Sequence, residues 1–79
     1  MAHQDEHGAL AIWTVYDHPS DFPDCFIARM SLVSVDGFAP TREIITAATL
    51  EDLRSQLPGG LYRLDRHPDD DPVIVEVWI

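Results

Sequence analysis

Seventy-nine residues allow one domain, near the lower size at which a single hydrophobic core holds a chain together. The 46% hydrophobic share belongs to a folding chain rather than a disordered one. Fourteen acidic residues against five arginines and no lysine give a net charge of −9, which disfavours nucleic acid and acidic membrane surfaces as partners.

The opening stretch from Met1 to Gly8 is polar and acidic, unlike a signal peptide, and is expected to be a disordered tail of residues 1–8 ahead of a single domain over residues 9–79. Ala9 to Tyr16 is rich in β-branched and aromatic residues and predicts a strand. Two prolines and several aspartates between Asp17 and Asp24 end it. A second strand is expected from Cys25 to Val35, with Phe26, Ala28, Met30 and Leu32 on one side and Arg29 and Ser31 on the other. Asp36-Gly37 signals a turn, Phe38-Ala39-Pro40 continues the loop, and Glu43 to Ala47 reads as a short strand.

Thr49 has the chemistry of a helix N-cap, with Glu51 and Asp52 in the first turn where the helix dipole favours negative charge. Leu50, Leu53 and Leu57 then form one apolar stripe on a helix of about nine residues, stopped by Pro58-Gly59-Gly60. Leu61 to Arg66 predicts a fourth strand, His67 to Pro72 an acidic turn, and Val73 to Ile79 a fifth strand. The expected fold is α+β: an antiparallel sheet of four to five strands with one short helix on one face, in the order β-β-β-α-β-β.

An imbalance follows from this arrangement. Three leucines can cover the middle of one sheet face, yet the first and last strands carry large apolar groups on both sides: Ile12 and Tyr16 against Trp13 and Val15, Val75 and Val77 against Ile74 and Trp78. Either the proline-rich loop, with Phe22 and Phe38, folds over the second face, or that face meets a partner protein or a second copy. Trp13, Tyr16 and Trp78 are the contact candidates, with Asp69, Asp70 and Asp71 as an acidic rim able to attract a basic partner. As alternatives, aromatic residues in antiparallel strands serve as core, and an aspartate run serves as a solvated loop.

Little in the chain points to catalysis. Cys25, the single cysteine, excludes an intrachain disulfide, and its neighbour Asp24 disfavours a thiolate. A phosphate-cradling glycine loop, a dinucleotide fingerprint and a serine-nucleophile turn are all missing from the sequence. Two similar turns, Asp17-His18-Pro19-Ser20-Asp21 and Arg66-His67-Pro68-Asp69-Asp70, offer Asp17, His18, Asp21 and His67 as a site for a divalent cation or a small ligand if the turns meet. The competing reading is strand-to-loop punctuation, in which proline fixes φ and aspartate closes the turn. The expectation is a non-enzymatic protein of the cytoplasm that needs no cofactor. No apolar run approaches the ~20 residues of a membrane span.

The stretch Ile12-Trp13-Thr14-Val15-Tyr16-Asp17-His18-Pro19-Ser20-Asp21-Phe22-Pro23-Asp24, with the closing Asp70-Asp71-Pro72-Val73-Ile74-Val75-Glu76-Val77-Trp78, resembles a family of short uncharacterised bacterial proteins. That likeness implies a bacterial cytosolic origin and no particular activity. Phe26 to Val35, Glu43 to Ala47 and the Thr49-Leu50-Glu51-Asp52-Leu53 helix start are similar in arrangement to the HicB-type antitoxins, small β-β-β-α-β modules, although the strand-joining loop differs and no DNA-binding segment follows.

Overall fold

The structure, a computed structural model, describes residues 9–79, so the expected tail lies outside the described residues. In chain order the elements are β1 (Leu10–Asp17), β2 (Phe26–Ser34), β3 (Gly37–Ala47), α1 (Leu50–Gln56), β4 (Arg63–Asp65) and β5 (Ile74–Trp78). They build one open antiparallel sheet in the spatial order β3-β2-β1-β5-β4, with the single short helix packed on β2 and β3. No described helix is long and apolar enough to cross a membrane.

Local chemistry sets the helix bounds. Thr49 sits in extended backbone, and its hydroxyl accepts from the Asp52 N–H at 3.1 Å, supplying one of the donors a helix start leaves unpaired. At the other end Leu57 turns extended before Pro58, leaving seven helical residues where about nine were expected. Leu53 is fully buried, and Leu50 and Leu57 pack beside it against Trp13, Val15 and Ala28. Met30, Ile45 and Val75 complete this side, and Leu61 closes it as the chain returns towards β4.

The third strand departs most from its expected bounds. It begins at Gly37, six residues before Glu43, because Ser34 and Gly37 pair directly and leave only Val35 and Asp36 at the tip of the hairpin. Gly37 takes the positive φ of +126° that this tight return demands, a conformation that glycine adopts without penalty. Pro40 is tolerated because β3 is an edge strand whose register with β2 shifts between Arg29 and Ser31. Thr41 occupies the shift, its hydroxyl donating to the Met30 carbonyl at 2.9 Å.

A second irregularity changes which residues share a face. Trp13 pairs with Trp78 and Val15 with Glu76, yet Tyr16 pairs with Ile74, so β5 holds one extra residue at this point. Strict alternation would set Val75 opposite Trp78. Past the bulge, Val75 instead packs in the same cluster as Trp78, under the helix. The fourth strand is three exposed residues long, shorter than the Leu61 to Arg66 span expected.

Candidate functional site

Antiparallel pairing puts directly opposed residues on one face, so the register maps both sides of the sheet. Ala11, Trp13 and Val15 look towards the helix; Leu10, Ile12, Thr14 and Tyr16 look away from it. Along with this second set go Val33 and Phe38 at one end of β2 and β3, Ile44 beside Arg29, and Val77 with Leu64 on β5 and β4. Tyr62 exchanges both backbone hydrogen bonds with Ile79, at 2.7 and 3.0 Å, and extends the β4–β5 rows.

The loop between β1 and β2 covers one end of this second face. Arg29 pairs with Asp21, and its guanidinium carbon lies 5.7 Å from the centre of the Phe22 ring. Ile27, opposite Tyr16, is fully buried at this end. The exposed apolar residues stand at the two edges of this face: Phe38, 66% exposed, and Ile44, 40%, on β3, and Tyr62, 68%, and Leu64, 47%, at the β4 edge, with Ile44 and Leu64 in the row that runs through Arg29. Phe22 therefore meets the expectation of a covering loop, while Phe38 does not. Arg29, within the strand-paired rows of this face, pairs with Asp21, and exposed Arg42 and Glu43 lie on β3 between Pro40 and Ile44.

The residues singled out from sequence are dispersed. Trp13 is 6% exposed in the core cluster. Trp78 packs beside that cluster on the helix side, and its indole N–H donates to Glu76 at 2.6 Å. Both indoles thus lie on the sealed side and do not share a patch with Tyr16, which is half-buried at the loop-covered end of the other face. Period-two alternation was correct for β1, but it could not say which side the helix would take.

Asp69, Asp70 and Asp71 form the β4–β5 turn, at the opposite end of the sheet from Phe38. An Asp70 carboxylate oxygen accepts from the His67 N–H at 2.9 Å and an Asp71 oxygen from the Val73 N–H at 3.1 Å, so two of the three close their own turn.

The two His-Pro turns do leave the sheet at the same end, where the Asp17 N–H donates to the Val73 carbonyl at 2.8 Å. Their side chains are occupied locally. His18, at φ +48°, pairs with Asp17 and sets its ring edge-on to Phe26, centroids 4.9 Å apart. Asp21 holds Arg29, and His67 accepts from the Asp69 N–H at 3.1 Å. Among the described residues no group of three or more histidine, cysteine or acidic side chains is placed to hold a metal ion.

Sequence reasoning passed over Glu76. It is the one buried charged side chain among the described residues, 1% exposed, and Arg54 grips it with a two-pronged contact: Nε to Oε2 at 2.9 Å and Nη2 to Oε1 at 2.5 Å. Arg63 stands 3.9 Å away. Burial raises the carboxyl, but the Arg54 hydrogen bonds, the Trp78 indole and the two arginine charges outweigh it and hold the pKa below its ordinary 4.5. A satisfied ion pair under a helix anchors α1 to β5. Every buried side-chain nitrogen and oxygen among the described residues, this pair included, has a partner.

A scan against protein-family models, a search of curated proteins and a search of solved structures each found no match.

Proposed function

We propose that this chain is a non-enzymatic interaction module of the bacterial cytosol that docks a protein surface, another protein's or that of a second copy, through the apolar residues of its second sheet face. One observation carries the reading. Of the five large apolar side chains exposed on the described surface, Phe38, Ile44, Tyr62 and Leu64 fall on a single face, and the fifth, Val35, is the tip of a hairpin. Single exposed apolar residues are ordinary; four on one side of the sheet, two at each edge, favour a contact surface. The bacterial setting rests on the resemblance of the Ile12 to Asp24 and Asp70 to Trp78 stretches.

Photo-crosslinking in cells tests the docking reading. A benzophenone amino acid replacing Phe38 or Leu64 yields a discrete adduct, whereas the same group at Ser55, exposed on the helix side, yields none. Equal labelling from all three positions, or none from Phe38 and Leu64, overturns the proposal.

A further inference from the structure

We infer that the free edge of β4 pairs with the same strand of a second copy, antiparallel and centred on Leu64, so that the two sheets run on as one. This goes beyond the docking reading, because it concerns the edge of the sheet and not its face. Three observations lead there.

The first is what the two edges offer. The sheet is open, with β3 and β4 at its borders. The β3 border is interrupted along its length. Pro40 has no N–H, the register shifts beside it, the Thr41 hydroxyl takes the Glu43 N–H at 3.1 Å, and the Gln56 amide donates to the Thr46 carbonyl at 3.4 Å. Such devices keep an edge from pairing. β4 has no proline, register shift or covering side chain and is guarded only by being three residues long. It contacts β5 and no other described strand or helix, and α1, lying over β2 and β3, leaves its border clear.

The second is the direction of the backbone groups. Tyr62 exchanges both its hydrogen bonds with Ile79, so the alternation of an antiparallel ladder turns Leu64 towards Val77 in the same way. The N–H and C=O groups of Arg63 and Asp65 then point outward, and no hydrogen bond from a described residue reaches them. Two copies set antiparallel about Leu64 bring Arg63 of each opposite Asp65 of the other, as pairs that exchange both bonds. Four backbone hydrogen bonds link the strands, and every outward group of β4 has a partner.

The third is charge. Along the edge Arg63, Leu64 and Asp65 read positive, apolar, negative, all exposed. The pairing that joins the backbones also sets each guanidinium opposite a carboxylate and Leu64 against Leu64. Parallel pairing would set arginine beside arginine. Arg63 meets its own Asp65 at 2.8 Å and keeps further N–H donors for the second copy. The acidic run Asp69 to Asp71 follows β4, so the antiparallel arrangement sends the two runs to opposite ends of the joint. Three residues from each copy fall far below the roughly 20–30 a side of a stable interface, so the dimer is weak and reversible.

Amide hydrogen exchange and sedimentation of the purified full chain, at about 20 µM and about 1 mM, test the pairing. A dimer is expected in the concentrated sample. Arg63 and Asp65 exchange at least threefold more slowly there, while Leu64, already bonded to Val77, and Ile44 and Thr46 on β3 do not change. Asp65→Arg and Arg63→Asp each set like charges across the joint and abolish the dimer. An equal mixture of the two variants dimerises, because each copy supplies the charge the other lacks. Trp13 fluorescence reports that both are folded; if Arg63→Asp unfolds through its nearness to Glu76, the exchange of the wild-type chain decides alone.

A monomer at about 1 mM, unchanged exchange at Arg63 and Asp65, or two folded variants that stay apart when mixed overturns the inference. A Phe38 adduct to another protein alongside any of these leaves the docking reading standing. Protection at Arg63 and Asp65 with no Phe38 adduct keeps the edge pairing and removes the docking face.

Discussion

Glu76 interrupts an otherwise apolar closing strand, and only its partner explains it. That partner, Arg54, lies on another element 22 residues away in sequence, so no local pattern announces the pair. Replacing Glu76 by Ala leaves the arginine fork unmatched and the indole N–H of Trp78 without an acceptor, and is expected to cost about 3 kcal/mol in urea unfolding. Because the folded carboxyl titrates below 4.5, its contribution is complete above that pH and disappears as the pH falls through the lowered folded value. The acid limb of a stability-versus-pH curve should therefore flatten in Glu76→Gln relative to wild type. Parallel limbs would mean that other carboxylates carry the acid sensitivity. Residue types at the two His-Pro turns, by contrast, were fully visible in sequence but misleading as ligands, since each imidazole and carboxylate is engaged within its own turn or with Arg29.

Elements with a strong local signature were legible from sequence alone. The Thr49 cap, the leucine stripe and the proline–glycine stop specify α1 through contacts within a few residues, and the structure places each where the pattern does. Leu53→Ala removes the helix's only fully buried side chain and should cost about 3 kcal/mol; Thr49→Ala should cost about 1 kcal/mol by loss of the cap. Thermal melts of the two variants check that order, and a reversed order would contradict the packing described. Strand identity was legible too, but not the strands' lengths or all of their faces. β3 reaches back to Gly37 because the hairpin has only two tip residues, and an unsigned register shift makes room for Pro40. Val75 lies on the side opposite to that which alternation assigns, because a one-residue bulge on β5 resets the period. Bulges arise from pairing between distant strands, which is why spacing within one strand cannot reveal them.

At the scale of the whole molecule, the excess of apolar sheet over helix was evident from composition and strand pattern, and the structure resolves where it falls. Helix and return segment seal one side; a loop covers half of the other; Phe38, Tyr62, Leu64 and Ile44 are left facing water. The indoles, which drew attention first because they are the largest apolar groups, are the residues the helix side takes in. Exposed apolar positions can be changed without disturbing the core, so Leu64→Lys should leave the melting temperature within a few degrees of wild type while reducing association. Hydroxyl-radical footprinting of the purified chain, dilute against concentrated, tests association at the β4 edge most directly, with Val35 at the hairpin tip as an internal control that is fully exposed. Tyr62 and Leu64 are expected to lose reactivity together as concentration rises while Val35 does not change. Unchanged reactivity at all three, or protection centred on the helix, would contradict the account.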